Sequence, residues 1–239
     1  MENTTQRQLI LFFSILVIFS SCTTTTAIRP AEPMPPEIVP SKTVPPLVEK
    51  PSIPPVPEHI LGKGLVEPEK LLAFLKKANP EADGDFVLSL AKIYVEEAAV
   101  EGVNHDMAFA QMCLETGFLR FGGLVTPDMN NFCGLGAIGP GQNGEWFPDP
   151  RTGVRAHIQH LKAYATEEPL KQTLVDPRYH WVRYGSAPRI QGLAGTWAVD
   201  KEYGNKISSL LERLYEGTFG TAPNRLTQGE GHIRPVLRY

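Results

Sequence analysis

Between about Val66 and Gly220 the apolar positions recur at helical spacing; before and after that stretch they do not. Glu67-Pro68 opens a first helix that runs through Ala78, with proline in the first turn, where its missing N–H costs nothing. Val87, Leu90, Ala91, Tyr94 and Ala98 mark a second helix, which Asp83 or Asp85 can cap. Asn104 can cap a third, whose Met107, Ala108, Ala110, Met112 and Leu114 fall on almost every side. A helix apolar all round belongs in the middle of a core. It ends at Glu115, with Gly117 beyond it to take the left-handed conformation that stops a helix.

From Phe118 to Pro150 the helical spacing disappears, and glycines and prolines alternate with Phe132, Trp146 and Phe147. That composition predicts turns and short strands in a small lobe. Helix resumes at about Gly153, with Val154, His157, Ile158, Leu161 and Ala165 on one side. A loop holding Pro177 and Pro188 and a short turn near Leu193 lead to a last helix striped by Ile207, Leu210, Leu211 and Leu214. Asp200 reads as a cap for that helix. The pattern therefore predicts a mainly α (α+β) domain over 66–220, with one irregular or β insertion directly after Glu115 forming a cleft against the helical body. At roughly 155 residues it can hold a single core.

The ends of the chain read differently. Leu9 to Phe19 is an apolar run preceded by Arg7 and followed by Ser20-Ser21-Cys22. A helix needs roughly twenty residues to cross a bilayer, so this run fits the h-region of a signal peptide over 1–21. Small residues leading into Cys22 resemble a bacterial lipobox, in which the cysteine carries the lipid; Phe19 departs from the usual Leu or Val. Half of the chain's 22 prolines lie between Pro30 and Pro57. Such a stretch lacks the donors and apolar groups for a core, so 22–65 reads as a semi-rigid tether, and 221–239 as a loose tail. The expected location is the cell envelope, lipid-anchored to a membrane and facing the periplasm or the cell surface.

Net charge is −3, and no basic cluster marks the folded region, so nothing points to nucleic acid. Cys113 and Cys133 form an even pair in an exported chain: a possible disulfide if the insertion folds back over the helix end, or two buried thiols. His157 and His160 share a helical face without an evident third ligand, which suits packing and hydrogen bonding better than a metal. No cofactor and no metal are expected.

A carboxylate ending a buried helix is costly unless it is paired or used, and burial is what a general acid needs to stay protonated near neutral pH. The surrounding residues resemble a known family. Ala110-Gln111-Met112-Cys113-Leu114-Glu115-Thr116-Gly117 is similar to the AQxxLETGW segment of bacterial peptidoglycan glucosaminidases, glycoside hydrolase family 73. Asn130-Asn131-Phe132-Cys133-Gly134-Leu135-Gly136 resembles that family's NNxFGIK loop, and Gly153–Leu161 its following helix. Trp197-Ala198-Val199-Asp200-Lys201-Glu202-Tyr203-Gly204-Asn205-Lys206-Ile207 looks like its YATDPxYxxKI segment. The resemblance implies a lysozyme-like fold, peptidoglycan glycan strands as partner, and Glu115 as the acid that cleaves between N-acetylglucosamine and N-acetylmuramic acid. Two departures are Trp197 in place of tyrosine, which loses a phenolic hydroxyl, and Ala137-Ile138 in place of a basic residue.

Glycoside cleavage usually takes a second carboxylate. Glu145 and Asp149 are candidates, with Asp128 a third, and the substrate's 2-acetamido group is an alternative nucleophile. Trp146, Trp197 and Tyr203 are expected as sugar platforms, Phe132 as a substrate contact and part of the shield around Glu115, and Asn131 as a partner for an acetamido group or a brace for its own loop. A muramidase or lytic transglycosylase shares the single acid, and a non-catalytic glycan-binding module is the rival from another class.

Overall fold

In the computed structural model the described residues are 53–139 and 141–220. The expected signal peptide, the Cys22 lipidation site, most of the tether and the tail lie outside them. The domain is mainly α, as expected. Its helices are α1 (Pro68–Ala78), α2 (Gly84–Glu101), α3 (His105–Glu115), α4 (Pro150–Ala165) and α5 (Tyr203–Phe219), with β1 (Ala137–Gly139) and β2 (Gln142–Asn143) between α3 and α4. The two strands pair antiparallel as a minimal hairpin.

The helix ends follow from single residues. Asp83 Oδ1 accepts the Asp85 and Phe86 N–H groups at 2.9 and 3.1 Å to start α2, and Asn104 Oδ1 does the same for Asp106 and Met107 at the start of α3. Every residue of α3 from His105 to Cys113 is buried, which explains its apolar character on all sides. It packs between α2 and α5, while α2 also covers α1 and α4.

The boundary of the domain lies earlier than 66. Ile60 is fully buried, donates its N–H to the Pro188 carbonyl at 3.1 Å and accepts from Asn104 N–H at 2.8 Å. His59 bridges to Arg189 and Leu61 to Val103. Prolines forbid helix here but tolerate extended pairing at an edge, so the last part of the expected tether is a structural strap.

A second expectation is corrected at α4. Asp149 is its N-cap: Oδ1 accepts Thr152 N–H at 2.9 Å and Oδ2 accepts the Thr152 hydroxyl at 2.8 Å. The helix accordingly begins at Pro150 rather than near Gly153. Gly153 is needed inside it, because a Cβ there would sit 1.8 Å from the Asn130 carbonyl oxygen. That contact presses the loop after α3 onto α4. At α5 the cap position belongs to Glu202, and Asp200 instead accepts Glu202 N–H and pairs with Lys206 at 2.6 Å.

Candidate active site

Glu115 ends α3, and the chain leaves it by an unusual path. Gly117, Phe118 and Leu119 are left-handed in succession, with φ of +58, +59 and +60°. Each non-glycine residue there costs about 1–2 kcal/mol. Offsetting contacts hold the turn: Phe118 N–H donates to Cys113 O and Asn79 Nδ2 donates to Phe118 O, both at 2.8 Å. The helix therefore stops with its last side chain facing sideways into a groove rather than onward.

One carboxylate oxygen of Glu115 is fully engaged. Oε1 accepts the Tyr203 hydroxyl, and it accepts the Trp197 indole N–H at 3.2 Å. The other, Oε2, faces the loop after α3, where a Cβ on Gly134 would lie 3.5 Å from it. Burial raises the pKa of this carboxyl, and the hydrogen bonds from Tyr203 and Trp197 offset that only in part. The carboxyl thus holds its proton to a higher pH than a free one, and two donors stand against the oxygen that would carry its charge.

Three adjoining recesses form the groove. The first, about 220 Å³, is bounded by Glu115, Phe121, Leu124, Asn131 and Gly134. The next, about 230 Å³, shares Gly134 and Ala137 with it and adds His160, Tyr164, Trp181 and Trp197. The third, about 460 Å³, runs from Gly136 and Arg178 to the β-hairpin. A separate recess of about 390 Å³ between α1 and α5 is lined by Lys70, Phe74, Lys77 and Arg213. The groove, not that recess, holds the Glu115 carboxyl with its two donors.

The sequence candidates divide sharply here. Glu145 sits beside the loop: its carboxylate pairs with Arg178 Nε at 2.9 Å, and a Cβ on Gly136 would come within 2.9 Å of Glu145 Oε1 and 2.8 Å of that nitrogen. Asp149 is occupied as a helix cap, Asp128 is exposed in a short 3₁₀ helix, and neither lines the recesses of the groove. Asn131 is fully buried with its hydrogen-bonding capacity used on its own loop: Nδ2 donates to the Leu135 and Glu145 carbonyls at 2.8 and 3.0 Å, and Oδ1 accepts Leu135 N–H at 3.0 Å. It braces the loop and has no donor left for an acetamido group.

Phe132 is 1% exposed and belongs to the core, as a shield and not as a contact surface. Tyr203 is also buried, so its contribution is the hydroxyl rather than a ring face for sugar. Trp146 is 61% exposed on the segment leading to α4. Trp197 packs beside His160 and His157, with ring centroids 5.1 and 5.7 Å away, and its N–H supplies a donor where a phenol was missing. Cys113 and Cys133 are both free and buried, so the possible disulfide is absent and burial pushes both thiols up. His160 pairs with buried Asp176 at 2.7 Å, and among the described residues no group of three His, Cys, Asp or Glu side chains could hold a metal ion.

Three residues escaped the sequence reading. Gln111 lies one turn before Glu115 and donates to the Tyr203 oxygen at 2.8 Å; its spacing of four was the available signal. Trp181, 76% exposed, and Arg178, whose Cζ stands 4.8 Å from that indole's centroid, form the far wall of the groove. Nothing in their loop's pattern marked them.

Residues 91–216, just over half the chain, match the family model described as mannosyl-glycoprotein endo-beta-N-acetylglucosaminidase. The chain belongs to this glucosaminidase family. An uncharacterized protein of Borreliella burgdorferi strain B31 is 43% identical over 157 residues, covering 66% of this chain and 77% of that protein. A solved structure of S. aureus autolysin E, in complex with the muropeptide NAM-L-Ala-D-iGlu, is similar over 66% of this chain and 71% of that one, with 14% identity and a TM-score of 0.43. The span matched by the family model contains Glu115, Trp197 and Tyr203.

Proposed function

We propose that this chain is a peptidoglycan hydrolase of the endo-β-N-acetylglucosaminidase type, with Glu115 as general acid. The observation that carries the reading is the asymmetric carboxyl: Oε1 holds two donors and Oε2 opens on the groove. A glycan strand lying along the Gly134–Ala137 loop would present a glycosidic oxygen to Oε2. Proton transfer from Oε2 to that oxygen breaks the C–O bond, the electron pair staying with the leaving oxygen; the anomeric carbon takes up the oxygen of a water, whose proton passes to the opposite carboxylate, or to Glu115 itself once the acetamido group has held the carbon. The carboxylate left behind is stabilised at once by the Tyr203 and Trp197 donors, which need not reorganise.

Of the three candidate second carboxylates, Glu145 alone borders the same loop and groove. We assign it the role opposite Glu115, with Arg178 holding it in place; the substrate acetamido group is the alternative that needs no such residue. Trp181 and Trp197 border the groove as aromatic faces for the sugar, beside Tyr164. On the sequence of its first 52 residues, the protein is held in the cell envelope by a lipid on Cys22, with the proline-rich stretch as a spacer.

The deciding experiment is clearance of a peptidoglycan suspension by the wild type and Glu115→Gln. Loss of clearance in the variant, with its fold retained, supports the acid; equal clearance removes it. N-acetylglucosamine at the new reducing ends is expected, and N-acetylmuramic acid there would assign a muramidase instead.

A further inference from the structure

The groups behind Glu115 form one unbroken hydrogen-bonded chain through four helices. Tyr94 on α2 meets His157 Nδ1 on α4 at 2.9 Å. His157 Nε2 meets Gln111 Oε1 on α3 at 3.0 Å, Gln111 Nε2 meets the Tyr203 oxygen on α5 at 2.8 Å, and Tyr203 meets Glu115. Tyr94, His157 and Gln111 are fully buried, away from any substrate. A packed core gains nothing from four polar side chains that an apolar set could not supply, so their arrangement calls for another reason.

We infer that Tyr94, His157 and Gln111 are positioning residues that fix the Tyr203 hydroxyl as a donor to Oε1 of Glu115, leaving the transferable proton to Oε2. This rests on Glu115 being the acid proposed above. The directions follow in sequence. A carboxylate only accepts, so Tyr203 donates to it, and the Tyr203 lone pair must then be met by the Gln111 amide N–H. That turns Gln111 Oε1 toward the imidazole, which therefore carries its proton on Nε2 and accepts on Nδ1 from the Tyr94 hydroxyl. The ring stays neutral because burial holds His157 down at about 3, and burial keeps both phenols protonated.

The chain matters most when Glu115 is protonated. A neutral carboxyl no longer dictates the Tyr203 proton by its charge, and its own proton could settle on either oxygen. With Gln111 presenting N–H groups, Tyr203 cannot turn its hydroxyl away from Oε1 without setting donor against donor. Oε1 then stays occupied by the Tyr203 and Trp197 hydrogens, and the acid proton remains on the groove-facing Oε2. No proton travels along the chain. The other groups facing this carboxyl leave that direction unopposed: Cys133 from the loop is a neutral buried thiol, Cys113 lies within α3, and His160 on α4 is packed against Trp197.

The test reads the Glu115 protonation midpoint directly, by ¹³C NMR of the full chain labelled at glutamate Cδ, with the signal identified by its loss in Glu115→Gln. Gln111→Glu puts an acceptor against Tyr203 and draws its hydroxyl off Glu115. The expected midpoint rises by more than about one pH unit, and kcat falls about a hundredfold at unchanged KM. In a Tyr203→Phe background the same substitution acts through charge alone and should give less than half that rise. Equal rises in the two backgrounds, or none, overturn the inference. Tyr94→Phe keeps the core's shape and covers the case in which Gln111→Glu does not fold: about a tenfold drop in kcat at unchanged KM is expected, and unchanged kcat refutes the chain. The midpoint comparison needs no activity, so full clearance by Glu115→Gln would remove the acid while leaving the hydrogen-bonded chain to be judged by NMR.

Discussion

Trp197→Phe isolates one of the two donors to Glu115 while leaving an aromatic ring beside His160. The indole N–H reaches Oε1 at 3.2 Å. A hydrogen bond to a charged group contributes about 1.5–3 kcal/mol, and this long one belongs at the lower end, about 1.5 kcal/mol, equivalent to about one pH unit. Burial already holds the carboxyl above its ordinary pKa, and losing a donor raises it further. The alkaline limb of the rate profile, where the acid loses its proton, should therefore move up by about one unit. The stability sign follows from the same direction. A carboxyl with a raised folded pKa contributes stability fully present below its unfolded pKa and lost as pH rises through the folded one. Trp197→Phe deepens that loss, so urea melts should show it costing about 1.5 kcal/mol more at pH 8 than at pH 4. The missing ring contacts add a cost independent of pH. An unmoved alkaline limb together with equal destabilisation at both pH values would refute the indole's part in holding the charge.

Two further substitutions separate structural acids from the proposed chemistry. Asp149→Ala removes the α4 cap and should cost about 1 kcal/mol in thermal or urea melts, with clearance of peptidoglycan retained; lost clearance in a folded variant would return Asp149 to the chemistry. Burial would raise the Glu97 pKa, but hydrogen bonds from Arg155, Gln172 and Arg151 prevail and bring it to about 2. Glu97→Gln should destabilise the protein at neutral pH, and the difference from wild type should fade as pH falls from about 4.5 toward 2 in paired melts; a difference constant across that range would contradict the pairing.

How much of this was legible depends on what each residue answers to. Helices striped by Val87, Leu90 and Tyr94, or capped by Asp83 and Asn104, are set by neighbours within a turn or two, and the apolar spacing finds them. Glu115 was legible for the same reason, as an acid closing an apolar helix. Pairings across long separations were not. Ile60 docks on Pro188, Lys162 on Glu101 at 2.8 Å, and Trp181 joins the groove from a loop without periodicity. Asp149 misled because a carboxylate just before a helix reads alike as a cap and as a candidate base, and only the Thr152 bonds decide. Asn131 stayed open between two roles because a loop's brace and a substrate's partner need the same amide, and only its bonds to Leu135 and Glu145 decide.

A general acid of the kind proposed for Glu115 faces two opposed demands. It must be buried enough to hold a proton near neutral pH, yet its charge must be accommodated once the proton has gone. Burial alone would meet the first and make the second prohibitive; hydrogen-bond donors around the whole carboxyl would meet the second and strip the proton early. Here the demands fall on different atoms. Trp197 and Tyr203 serve Oε1, while Oε2 faces glycine at position 134, and Glu115 and Gly134 both line the groove. The glycine-rich insertion and the buried polar chain are in this sense one device: the first frees one oxygen and the second commits the other. Filling the space before Oε2, or reversing the donors on Oε1, should therefore disable the same proton from opposite sides.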